Sequence, residues 1–245
     1  MNKSVDHILA VCEEAVNAEP AKARLQFLLG NVYDYLKRYP EAARHYTIAA
    51  EAGDADAMSS LGVLAIYGHG MLIDKQRAFD LFSKAAAAGQ AGAMGNLGSM
   101  YAMGFAVKKD PAQALTWYER AIDAGSSFAL TQVAVMYFNG AGVERDNQIA
   151  AQYYQQAADL DDGYALKSLA GMYEHGLLGP PDVAKANELR LRAAQVDPTS
   201  LDPDQHFATA AKAAPQAQHY INHQRRVVHY YRPHTFFGVC LVYPC

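Results

Sequence analysis

Apolar residues in this chain come in short blocks with helical spacing, and the blocks return every 36 residues. Leu61, Leu97, Val133 and Leu169 form one apolar column, and Tyr101, Tyr137 and Tyr173 another. Small residues hold the same register: Ala57, Ala93, Ala129 and Ala165 in one column, with Ala42, Ala78, Ala114, Ala150 and Ala186 in a second. A third runs through Ala49, Ala85, Ala121, Ala157 and Ala193. Between the blocks lie Gly68, Gly104, Gly140 and Gly176, then Asp74, Asp110, Asp146 and Asp182, again with period 36. Alanine columns carry little weight in an Ala-rich chain, whereas the glycine column would arise by chance only about once in a few thousand trials.

Each column has a physical role. The glycine suits the position just past a helix end, where φ turns positive. The aspartate six residues later suits an N-cap, where its carboxylate accepts the free N–H groups of the next helix. Asp110-Pro111 is the clearest instance, because proline fits the first helical position. The unit is therefore an A helix, a loop, a B helix and a short turn. A helices are predicted near 22–36, 55–67, 91–103, 127–139 and 163–175, and B helices near 40–52, 75–88, 111–124, 147–160 and 182–195. Gly53, Gly89 and Gly125 close B helices, and Asp54, Ser126 and Asp162 are placed to cap the next A helix. In the first unit Leu29-Gly30 precedes Leu61-Gly62 by only 32 residues, so its inter-helix loop is four residues short.

Leu97-Gly98-x-x-Tyr101-x-x-Gly104, Asp110-Pro111-x-x-Ala114-x-x-Trp117-Tyr118-x-x-Ala121 and Gly125 resemble the Sel1-like repeat, and the frame recurs as Tyr137-x-x-Gly140-x-Gly142-Val143-x-x-Asp146. The first unit is similar to a tetratricopeptide repeat. The fifth departs from the pattern, with Gly179-Pro180-Pro181 in its loop and Arg190 where an aromatic is expected. The organisation expected is an N-terminal capping helix over 1–20, a repeat solenoid over 21–197 and a basic, aromatic-rich extension over 198–245. The resemblance implies an all-α, right-handed solenoid of about five helical hairpins whose A helices line a concave groove. It also implies a non-enzymatic, bacterial scaffold or adaptor that binds a protein or peptide, or an immunity protein that neutralises a secreted toxin.

Carrying the family's concave positions onto this chain gives a candidate surface. It comprises Arg24, Phe27, Asn31, Asp34 and Tyr35 in the first unit, and Ser59, Val63, Ile66 and Tyr67 in the second. The third contributes Asn96, Ser99 and Met103, and the fourth Thr131, Gln132, Val135, Phe138 and Asn139. The fifth contributes Tyr164, Lys167, Glu174 and His175. Aromatic anchors among polar side chains suit protein recognition. Val63, Val135 and Phe138 equally suit packing between helices.

Composition narrows the function further. Apolar residues make up 51% of the chain, ample material for a core, charged residues are only 19%, and the abundance of alanine, the best helix former, favours an all-α fold. The net charge of −4 is uneven: residues 205–245 hold no Asp or Glu and carry +4, leaving −8 on residues 1–204. An acidic body argues against nucleic acid as the partner. Asp6, His7, Glu13 and Glu14 interrupt any signal-peptide core, and Val11 fits poorly before Cys12 in a lipoprotein cleavage box. No run of about 20 apolar residues exists to span a membrane. A cytoplasmic location is expected, or a periplasmic one if a leader precedes the chain. Neither a P-loop, a GxSxG motif nor a strand-linked GxGxxG is present, and no cofactor is expected.

The extension reads as a helix near 203–214, a second helical stretch over 216–224, and strands at Val227–Tyr231 and Phe236–Tyr243. It is expected to pack as a cap on the last repeat. His219 and His223, four apart, would share a helix face and could hold zinc with Cys240 or Cys245. Without a CxxC pair or a zinc-protease glutamate, solvated or packed histidines are the favoured reading, and no metal is assigned.

Overall fold

The computed structural model describes residues 3–196, and among them every regular element is a helix. Helix α1 (Lys3–Ala18) precedes five hairpins, each an A helix followed by a B helix. The hairpins are α2 (Ala23–Tyr35) with α3 (Tyr39–Glu51), α4 (Ala55–Tyr67) with α5 (Lys75–Ala87), and α6 (Ala91–Met103) with α7 (Pro111–Asp123). The last two are α8 (Ser127–Asn139) with α9 (Asn147–Asp159), and α10 (Gly163–Glu174) with α11 (Val183–Val196). The observed bounds agree with the predicted ones to within a residue or two, because the caps that end each helix are encoded locally.

Those caps repeat with the sequence. The side chains of Asp54, Asp74, Asp110, Ser126, Asp146 and Asp162 each accept a backbone N–H in the first turn of the helix that follows. Gly68 and Gly140 end α4 and α8 in the left-handed region, with φ of 69° and 67°. The loop between them and the next cap closes with one recurring bond. The N–H groups of Asp74, Asp110, Asp146 and Asp182 donate to the carbonyls of Ala65, Tyr101, Tyr137 and Tyr173 at 2.9–3.0 Å. In the short first hairpin the turn closes through Lys37, whose φ of 59° replaces the glycine step.

The described residues form two compact units, which divide within α6. In the first, residues 3–97 with 105–107, α1 packs on α2, and each further helix through α5 packs on the one before. Its core joins Cys12 and Val16 of α1 to Leu25, Leu29, Val32, Tyr46, Leu61 and Leu64. The Tyr46 and Phe82 rings, both fully buried, sit so close to Gly30 and Gly62 that a Cβ there would lie 2.6–2.7 Å from ring carbons. Glycine is therefore required by the close approach of helix and ring.

In the second unit, residues 98–104 with 108–196, the same relation joins Gly98 to the buried ring of Tyr118, at 2.6 Å from a would-be Cβ. The core continues through Val135, Tyr154, Leu166, Leu169, Met172 and Leu189. Arg190 occupies the place of Tyr118 and Tyr154 in the last hairpin, and it forms an ion pair with Glu174. Asn187 and Ala194 of α11 are exposed, whereas their counterparts Ala151 and Ala158 in α9 are buried. The corresponding face of α11 is thus left open, and the helix also exposes Val183 and Leu191. The helix and hairpin expected over 203–243, and the histidines and cysteines within them, lie outside the described residues.

One cap titrates in an informative range. Burial pushes the Asp162 carboxyl from its usual 3.8 up to about 6, although the Ala165 and Tyr164 N–H groups pull the other way. The folded state therefore holds this proton more tightly than the unfolded chain between about pH 4 and 6. Stability from this group is present below the unfolded value and lost as pH rises through 6, by about 2–3 kcal/mol at most. Asp162→Asn keeps a capping oxygen and removes the titration, so its unfolding midpoint in urea should vary less between pH 4.5 and pH 7 than that of the parent chain. Equal pH dependence in both would show that the carboxyl is not desolvated.

Candidate functional site

The A helices carry the candidate surface, and burial divides its columns sharply. Counting from the column Leu29, Leu61, Leu97, Val133 and Leu169, the positions two residues earlier are largely inside: Phe27, Ser59 and Thr131 are buried, and Lys167 is partly so. The column two residues later runs from half-buried Asn31 and Val63 to buried Ser99 and Val135. Gln132 is buried as well, and its Nε2 finds no hydrogen-bond partner.

The last turn of each A helix behaves differently. Asp34-Tyr35, Ile66-Tyr67, Met103, Phe138-Asn139 and Glu174-His175 all keep accessible surface, with Tyr35 and His175 the most open. Five repeats thus present the same two positions, filled with aromatic, aliphatic, amide and charged side chains. Remaining candidates sit beside this row: Arg24 is exposed, and Asn96 and Tyr164 are half-buried.

Several of these residues are held by neighbours within their own unit. The Arg24 guanidinium lies 4.7 Å from the centre of the Phe27 ring and donates to Asp56 at 2.8 Å, with Asp54 at 3.6 Å. Tyr46 donates its hydroxyl hydrogen to Asn31 Oδ1 at 2.7 Å, and Gln90 donates to Asp56 at 3.3 Å. Arg24 and Asp56 occupy the same column in successive repeats, so the pair ties one A helix to the next. In the second unit Ser99 and Tyr118 share a hydroxyl–hydroxyl bond at 3.1 Å, and the Arg145 guanidinium lies 5.6 Å from the Phe138 ring centre. The Tyr164 ring lies 6.4 Å from that of Tyr154.

Sequence reasoning overlooked a second cluster in the first unit. The His69 ring stacks on Tyr39 at 4.4 Å and approaches Tyr67 at 5.8 Å, while Leu72 and Ile73 beside it stand in water. Its signal was available: those two residues align with Lys108-Lys109 and Glu144-Arg145 in the next repeats. Among the described residues no group of three His, Cys, Asp or Glu side chains could hold a metal ion. No described helix is long and apolar enough to cross a membrane.

The Sel1 repeat model matches the chain five times in succession, over residues 23–54, 55–90, 91–126, 127–162 and 163–196. The chain belongs to the Sel1 repeat family. Its architecture is accordingly an all-α solenoid, of a kind that typically mediates protein–protein interaction and is generally non-enzymatic. A Sel1 repeat protein from Oxalobacter formigenes is 30% identical, with a TM-score of 0.69 over 80% of this chain and 84% of the other. The protective antigen c5321 of uropathogenic Escherichia coli is 26% identical, with a TM-score of 0.57 over 76% of this chain and 48% of the antigen. A sel1 repeat protein from Klebsiella pneumoniae shares the fold at 24% identity and a TM-score of 0.55, covering 80% of this chain and 96% of its own. No curated protein sequence matches the chain.

Proposed function

We propose that this Sel1 repeat protein is a scaffold or adaptor, not an enzyme, and that it binds another protein through the last turns of its A helices. The observation that carries the reading is the accessibility of the same two positions in all five repeats, beside columns that are largely buried. A buried column stabilises the array; an accessible one, recurring with the repeat, offers a partner the same contact positions in each unit. Tyr35, Tyr67 and Phe138 supply aromatic anchors, the side-chain type that contributes most at such interfaces. The acidic body favours a protein or peptide over nucleic acid.

Affinity capture from the native cell tests this, with Tyr67→Ala plus Phe138→Ala as the variant. Both side chains are only partly buried, so the variant should keep its helical signal while losing at least about tenfold in capture. Undiminished capture would reject this surface. Recovery of one secreted toxin in a one-to-one complex would mark the inhibitory, immunity-type form of the same binding.

A further inference from the structure

The loops from A to B helices share one frame, so their outward positions compare directly. Immediately before the capping aspartate, the third repeat has Lys108-Lys109 and the fourth has Glu144-Arg145. The second has Leu72-Ile73, which are 90% and 65% exposed. The turns from B to A helices show a matching departure. Ala52-Gly53, Ala88-Gly89 and Ala124-Gly125 give way to Leu160-Asp161, with Leu160 60% exposed. A lone surface leucine needs no explanation. At these two turns, as at Val183 and Leu191 of α11, the chain places large apolar side chains in water where its own repeats carry small or polar ones.

Both places are tied to their own unit. In the first unit, Gly70 has a φ of 71° and its backbone lies against that of Tyr39, while the Asp74 N–H donates to the Ala65 carbonyl at 2.9 Å. In the second unit, Asp161 keeps a φ of 58° where sister repeats use glycine, and Arg192 donates twice to its Oδ1, at 3.0 and 2.6 Å.

Their charges are opposite. The Asp74 carboxylate is turned into the start of α5, where it accepts the Arg77 N–H at 2.9 Å. The charges beside Leu72 and Ile73 are then Arg77 and Lys75, both exposed, the Lys75 ammonium lying 3.8 Å from the centre of the Phe105 ring, with Asp80 a turn further on and bonded by Gln76. Leu160 is flanked by exposed Asp159 and Asp161, while Asp162 turns inward to cap α10. Arg192 engages one oxygen of Asp161 only.

We infer that the chain associates with a second copy of itself, the Leu72–Ile73 loop of one copy seating against the Leu160 turn of the next. Lys75 and Arg77 face Asp159 and Asp161 across the contact. The two surfaces differ, so a joined pair keeps one of each kind free. Such a contact grows into a chain or closes into a ring instead of stopping at a two-fold dimer. This association uses residues other than the A-helix surface and stands without it, although the Leu72–Ile73 loop follows directly on Tyr67.

Light scattering and sedimentation velocity on the full chain, from micromolar to submillimolar concentration, test the inference. The mass should rise with concentration beyond that of a dimer, and added salt should lower it. Leu72→Lys reproduces Lys108, and Leu160→Ala reproduces Ala124, so each variant retains a residue that the repeat already accommodates. Each blocks one surface and should be monomeric alone. Mixed in equal amounts, they retain one complementary pair of surfaces and should form a one-to-one dimer that grows no further. A parent chain that stays monomeric throughout overturns the inference. Single variants that still assemble, or a mixture that does not dimerise, overturn it equally.

Discussion

Phe82→Ala is expected to lower the unfolding free energy of the first unit by about 3–5 kcal/mol, the range for removing a fully buried aromatic ring. The ring has no exposed surface and fills the space that Gly62 leaves open, so the helices cannot close over the cavity without moving as a pair. In a repeat array each hairpin is held only by its neighbours, and the loss falls on the junction of α4 and α5. Urea unfolding followed by helical circular dichroism measures it. Phe105→Ala, at a partly exposed ring, should cost less than half as much. A change below about 1 kcal/mol for Phe82→Ala would mean that the ring does not wedge this hairpin.

Gly70→Ala should be nearly as damaging for a different reason. The residue has a φ of 71°, and an added Cβ would lie 2.4 Å from the carbonyl carbon and oxygen of Tyr39 and 2.6 Å from the Pro40 nitrogen. Those are backbone atoms at the start of α3 and cannot rotate aside. The left-handed backbone costs an alanine roughly 1–2 kcal/mol, and the forced overlap adds a further 1–3 kcal/mol or so. Gly53→Ala isolates the first contribution, because its φ is 92° and nothing lies within 4 Å of the added carbon. Ala106 shows the same separation naturally: it occupies the corresponding loop position of the next repeat at a φ of 60°, with its side chain exposed. If Gly70→Ala proved no worse than Gly53→Ala in thermal unfolding, the close approach to Tyr39 would be absent.

Much of the array could be read from the chain before any coordinates. Asp110-Pro111 begins α7 and Gly140 ends α8 because capping and left-handed closure depend on a residue and its nearest neighbours along the backbone. The period of 36 was legible for the same reason, since every hairpin meets the same local demands. Gly30, Gly62 and Gly98 were visible as small residues, yet their ring partners were not. Tyr46 lies 16 residues from Gly30, while Phe82 and Tyr118 lie 20 residues from theirs, across the loop that is shorter in the first hairpin.

Burial of the candidate positions was not legible. Phe27, Ser59, Thr131, Gln132 and Val135 share columns with open residues, but a column states which side of a helix a residue occupies, not how deeply its neighbours cover it. Depth depends on how helices distant in sequence stack: the turn at Tyr67 and Phe138 is left open, while the turn at Ser59 and Thr131 is closed. Arg190 illustrates the same division at the end of the array. The chain shows a cation where other hairpins have an aromatic, and the packed structure supplies the Glu174 carboxylate that meets it. Local bonding along the backbone thus accounts for where each helix starts, stops and repeats. Exposure and side-chain pairing belong to contacts between segments far apart in the chain, because burial is a property of the assembled array and not of any one stretch of residues.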